Sequence, residues 1–145
     1  MATGLPAKDS ILAACRGFPC ITDHPMLDAA GELAVLHQTR EHTPWCQLED
    51  IDWHRAQLMG VVDDWVRLAT PVPFPAAKVH THTMGQVVDQ LAALTVQTYM
   101  ALAAAPPGLF YDSCVQLDEL GDAYRDLADD LSRGIRRLPQ LTTPW

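Results

Sequence analysis

Stretches with a helical repeat of apolar positions alternate along the chain with short stretches rich in proline and glycine. The first repeat follows Asp23-His24-Pro25, where an acidic cap candidate and an early proline mark a helix start. Met26, Ala30, Leu33, Ala34 and His37 then recur at spacings of three and four, which predicts one inward face. Thr43-Pro44 predicts its end, because a residue before proline avoids helical backbone. A second helix is predicted from near Trp45, with Leu48, Ile51, Leu58, Val62, Trp65 and Leu68 on its stripe. The segment 70–78, TPVPFPAAK, holds three prolines and reads as a connector. A third helix over about Met84 to Ala104 carries Met84, Val87, Val88, Leu91, Thr95, Thr98, Tyr99 and Leu102, and Pro106-Pro107-Gly108 stops it. A fourth runs from Phe110 through Cys114, Leu117, Leu120, Tyr124, Leu127, Leu131 and Ile135 to Leu138, and Pro139 ends it.

Residues 1–24 show no such period and contain Gly4, Pro6, Gly17 and Pro19. They read as an irregular arm with at most one turn around Ser10–Cys15. No segment alternates apolar and polar residues with period two, so no sheet is expected. The expected fold is all-α: an antiparallel four-helix bundle over residues 25–145, one domain, with residues 1–24 as the arm.

Composition narrows the partners. The chain has 145 residues, 48% of them apolar, enough for a packed core. Its formal charge is −8, from 18 acidic and 10 basic residues, and its longest basic run is Arg136-Arg137. Nucleic acid and anionic membrane are not expected partners, since both require a basic footprint. Cys15, Cys20, Cys46 and Cys114 form no C-x-x-C pair, and the first residues lack the apolar run of a secretory leader. The most apolar region, 91–105, is interrupted by Thr95, Gln97, Thr98 and Tyr99 and reads as a buried helix. A cytoplasmic protein with reduced thiols is expected.

Candidate chemistry centres on histidine. In HTHTMGQ (80–86), Thr83 and Gln86 fit a capping box, with Thr at the cap and Gln three residues later. His82 then precedes a helix N-terminus, whose partial positive charge disfavours a protonated imidazole and favours a neutral base or ligand. His80 and His82 also suit solvated loop positions. His37 continues the apolar stripe of the first helix, with Glu41 one turn later. His54 lies between Ile51 and Leu58, with Asp50 four residues before it. Glu41, Glu49 and Asp52 also suit a solvated surface. Asp89 falls off the main apolar face, and Tyr99 falls on it and needs a hydroxyl partner if buried. Trp45 is placed to wall a cavity. The Glu-x-x-His pairs of di-metal bundles are absent, and so are a phosphate loop and a nucleophile elbow.

Two stretches together resemble a known family. LHQTREHTPWCQLEDI (36–51) and HTHTMGQVVDQLAALTVQTYMAL (80–102), with LDELGDAYRDLADDLSRGIRRL (117–138), resemble the bacterial domain-of-unknown-function 4254 family over about residues 25–138. His37, Trp45, Glu49, Asp50, Thr83, Gly85, Asp89 and Tyr99 fall on positions of its pattern. His82 stands where that pattern has an acid, and Gln90 where it has arginine. The resemblance implies a helical domain and no particular reaction.

These residues lead to one expectation and two alternatives. The expectation is a small-molecule enzyme or binding protein of specialised biosynthesis, doing acid–base chemistry without a cofactor: cyclisation, isomerisation, elimination or hydrolysis. His37, Glu49, Asp50, His54, His82 and Asp89 would be its catalytic groups, and Trp45, Tyr99, Thr83 and Gln86 its substrate contacts, in one pocket at a bundle end. One alternative is a non-catalytic interaction subunit, as a homodimer or with a pathway partner. The other is a single zinc held by residues among His37, His54, His80 and His82 plus an acid.

Overall fold

The computed structural model describes residues 4–19, 23–104 and 106–140. Among them the chain forms five helices: α1 (Lys8–Cys15), α2 (Pro25–Glu41), α3 (Leu48–Ala69), α4 (Met84–Ala104) and α5 (Pro107–Arg133). A tight helical turn, Trp45–Gln47, leads into α3. The all-α class holds, with five helices in place of four.

The added helix is α1, in the stretch expected to be irregular. Its two turns bury Ile11, Leu12, Ala14 and Cys15. It has no side-chain N-cap, so its start carries no signal, but its end does. Gly17 takes a left-handed φ of 86°, and the Gly17 and Phe18 amides bond back to the carbonyls of Ala14 and Ala13. The Tyr124 hydroxyl donates to the Pro6 carbonyl at 2.7 Å, and Lys8 reaches Asp118 and Asp122 at 2.6 and 2.7 Å, which fastens α1 to α5.

Helix α2 begins one residue later than the acidic cap suggests. The cap is His24, whose Nδ1 accepts the Met26 amide at 3.2 Å, and Pro25 occupies the first turn. The His24 ring lies 4.4 Å from the Trp65 ring of α3. At the opposite ends of the pair, Arg40 of α2 bonds Asp52 of α3. Helix α4 touches α1, α2, α3 and α5 and buries Met84, Val88, Leu91 and Thr95. By length and composition α4 alone among the described residues is apolar enough to cross a membrane.

Helix α5 stops earlier than its apolar repeat implies. Gly134 adopts φ 72°, and the amides of Gly134 and Ile135 return to Leu131 and Asp130. Ile135 and Leu138 therefore leave the helix. The chain instead forms a two-residue parallel bridge, Lys78–Val79 (β1) with Arg136–Arg137 (β2), the only strand pair among the described residues. No periodicity can announce a pair this short.

Candidate functional site

Three helices bring one histidine, two carboxylates and two arginines together. His37 Nε2 lies 2.8 Å from Asp89 Oδ1, joining α2 to α4. An ionised carboxylate only accepts, so Nε2 carries the proton and donates, and in the neutral ring Nδ1 is left as the base. Arg55 of α3 grips the same carboxylate with both arms of its guanidinium: Nε to Oδ1 at 3.1 Å and a terminal nitrogen to Oδ2 at 2.6 Å. Its remaining nitrogen donates to Asp52 at 2.9 Å. Asp52 also accepts from Arg40 at 2.9 and 3.2 Å.

Burial grades this network from inside to outside. The side chains of His37, Asp89 and Arg55 are 12%, 13% and 19% exposed, while those of Arg40 and Asp52 are 39% and 40% exposed. Burial raises the Asp89 pKa, but hydrogen bonds from His37 and Arg55 outweigh it and hold the carboxyl below its ordinary value. Asp52 is pulled down to about 2 by the Arg40 hydrogen bonds, against a smaller effect of burial and with help from Arg55. Both carboxylates are therefore fixed as anions at neutral pH. His37 Nδ1 has no hydrogen-bond partner among the described residues and is not sealed from water, so one face of the ring is free to act.

The α2 stripe pointed to His37, and helical spacing aligns it with Arg40 one turn on. Asp89 was among the candidates, but its partner is Arg55, which no motif marks. An arginine within an amphipathic helix reads as a solvated charge. Only the packing of α3 against α4 sets it opposite a residue thirty-four positions later.

The other candidates stand elsewhere. Glu49 and Asp50 are exposed in the first turn of α3, where acids complement the helix dipole. His54 is exposed on α3. His80 and His82 share the loop before α4 with ring centroids 6.2 Å apart, His80 Nδ1 lying 3.0 Å from the His82 carbonyl and 3.2 Å from its amide, and His82 Nδ1 lying 3.0 Å from the Thr81 hydroxyl. Thr83 and Gln86 close the capping box: the Thr83 amide donates to Gln86 at 2.9 Å and the Gln86 amide to the Thr83 hydroxyl at 3.1 Å. The Thr83 hydroxyl and the Gln86 side-chain carbonyl are thus spent on the start of α4. Trp45 is 85% exposed in the turn before α3, and Tyr99 is 49% exposed on α4, ten residues and roughly 15 Å of helix rise beyond Asp89. Among the described residues, no three His, Cys, Asp or Glu side chains gather as a metal-ligand set, so His37, His54, His80 and His82 do not converge.

The expected single pocket at a bundle end therefore resolves into a compact network on α2, α3 and α4, with Tyr99 in a separate apolar cavity between α1, α4 and α5. The chain matches no protein-family model, no curated protein and no solved structure.

Proposed function

We propose that this protein carries out cofactor-independent acid–base chemistry on a small organic molecule, with His37 as the base. The observation that supports the reading is the 2.8 Å bond from His37 Nε2 to an Asp89 carboxylate clamped by Arg55, with Nδ1 left open. Such a carboxylate fixes the tautomer and stabilises the imidazolium formed when the base takes a proton. Asp89 and Arg55 are positioning residues in this scheme, because every nitrogen of Arg55 is already committed. Arg40 differs: Nε and one terminal nitrogen serve Asp52, and the other terminal nitrogen has no partner among the described residues. It lies one turn from His37 and is placed to receive an anionic oxygen of the substrate. Proton abstraction next to a carboxylate, as in an isomerisation or elimination, suits that pair.

The proposal extends to the fold and setting. Helices α2 to α5 form its antiparallel four-helix bundle, with α1 laid across α2, α4 and α5. The chain is a divergent member of the domain-of-unknown-function 4254 family, a bacterial cytoplasmic protein. Where that family's pattern has an arginine next to the aspartate, this chain has Gln90, and Arg55 supplies the guanidinium from α3.

The test is incubation of the purified protein with a small-molecule extract of its host in deuterated water, read by mass spectrometry. A metabolite that gains deuterium or changes mass with the wild-type protein, is spared by His37→Ala and responds normally to His82→Ala supports the reading. Unchanged turnover in His37→Ala overturns it. A second reading, a non-catalytic interaction subunit, is favoured by the apolar residues Leu102, Leu109 and Tyr111 exposed near the α4–α5 turn. It predicts a protein-bound assembly in the host and no metabolite altered.

A further inference from the structure

The cavity between α1, α4 and α5 lies outside the His37 network, and none of its walls takes part in that chemistry. Its volume is about 300 Å³, at the small end of ligand sites. Leu12 of α1, Leu102 of α4, and Phe110 and Leu117 of α5 supply apolar walls. Thr95 and Thr98 also line it, but their hydroxyls donate at 2.8 Å to the Leu91 and Leu94 carbonyls of their own helix. The interior therefore offers a ligand little polar contact, and water there gains few hydrogen bonds.

The polar groups differ in whether they are engaged. Asp118 lines the cavity, and its charge is opposed by Lys8 at 2.6 Å. Arg16 lines it too, follows the last turn of α1, and meets no carboxylate within ion-pair distance among the described residues. The Tyr99 hydroxyl likewise has no hydrogen-bond partner among them. An apolar chamber whose lining carries a guanidinium and a phenol without partners among the described residues is complementary to a molecule with an apolar body and one anionic end.

We propose that this cavity binds a small monocarboxylic acid, its single ring or medium-length chain among Leu12, Leu102, Phe110 and Leu117, and its carboxylate on Arg16 and Tyr99. Arg16 provides the charge-assisted, two-pronged contact that an ammonium group cannot. The site stands apart from the His37 network, so its occupancy does not depend on the base.

Calorimetric titration of the full chain with octanoate, phenylbutyrate and uncharged octanol tests this. Saturable one-to-one binding of a carboxylate is expected, with octanol weaker than octanoate. Arg16→Gln, at an exposed position, should weaken carboxylate binding about ten- to hundred-fold, as loss of a charged hydrogen bond does, and leave octanol unchanged. Leu102→Trp, which narrows the chamber from an exposed position, should abolish both, and His37→Ala should alter neither. No saturable binding of either acid overturns the proposal. So does acid binding that survives Arg16→Gln at full strength, or that fails equally in His37→Ala.

Discussion

Asp63 and Asp89 are both carboxylates largely withdrawn from water, and their neighbours push them in opposite directions. Asp63 accepts from the Gly85 amide at 2.7 Å and from the Thr83 side chain, but burial outweighs both and raises its pKa. Asp89 has a histidine and an arginine, and its pKa falls. Asparagine keeps an acceptor for Gly85 without a charge to desolvate. Asp63→Asn should therefore leave stability within about 0.5 kcal/mol of wild type or raise it, while Asp63→Ala, which leaves the Gly85 amide without its acceptor, should cost about 1–2 kcal/mol. The sign with pH follows: a raised folded pKa means stability lost as pH rises through it, so the advantage of Asp63→Asn over wild type is largest near neutrality and fades on acidification. Urea melts at several pH values measure both. Asp89→Asn has the opposite character. It leaves the largely buried Arg55 with Asp52 as its only charged partner and one fewer acceptor, and should cost about 2–4 kcal/mol, whereas Asp52→Asn, at a surface-facing pair, should cost at most about 1 kcal/mol. Nitrogen NMR of the neutral His37 ring should show the proton on Nε2 in the wild type and lose that preference in Asp89→Asn. Equal stability losses for the two variants would mean that the network is not graded by burial.

At the scale of elements, α1 and the α3–α4 crossing carry the sharpest expectations. Ile11 is 0% exposed, so Ile11→Ala should cost about 2–4 kcal/mol if α1 is part of the core, against a negligible loss for a residue on a loose arm. Gly85 sits where α4 crosses α3: a Cβ there would stand 2.8 and 2.9 Å from the Met59 carbonyl carbon and Cα. Backbone cannot give way as a side chain can, so Gly85→Ala should cost upwards of about 2 kcal/mol despite alanine's better helix propensity. Thermal unfolding of the two variants reads both. These two elements also show where sequence and fold part company. The four long helices were legible because each repeats its apolar stripe over several turns, and the third was bounded at Met84–Ala104 by its capping box and its prolines. Helix α1 has two turns, no cap and mixed polarity, so only Gly17 marked it. The α5 repeat continued past Gly134 because Ile135 and Leu138 keep helical spacing, yet a left-handed glycine with two returning amides decides the end. In the site, His37 was readable from its stripe, but Arg55 was not, since its meaning depends on which helix lies opposite.

For the whole molecule, the balance of charge sets how the protein meets acid. Asp52, near 2, and Asp89, below its ordinary value, are depressed because the fold pairs them with arginine and histidine. A depressed folded pKa means that the unfolded chain binds protons first. The stability from these pairs is therefore complete above about pH 4 and is lost as pH falls towards about 2. Over the same interval the net charge reverses. The −8 of neutral pH disappears as 18 carboxylates protonate, leaving 10 Lys and Arg and six charged His on one small domain. Self-repulsion then adds to the loss of pairing. Asp63 works against this trend but is one group. Stability measured by urea melts should thus be flat from about pH 7 to about pH 5 and fall steeply below about pH 4, and Asp89→Asn should be less stable at neutral pH yet show a shallower fall. Added salt should soften the part due to net repulsion and leave the step from the buried Asp89 contacts largely in place, because a Debye length of roughly 8 Å screens the surface and not the interior. An acid slope unchanged in Asp89→Asn would assign the whole transition to net charge and remove the three-helix network from the account of stability.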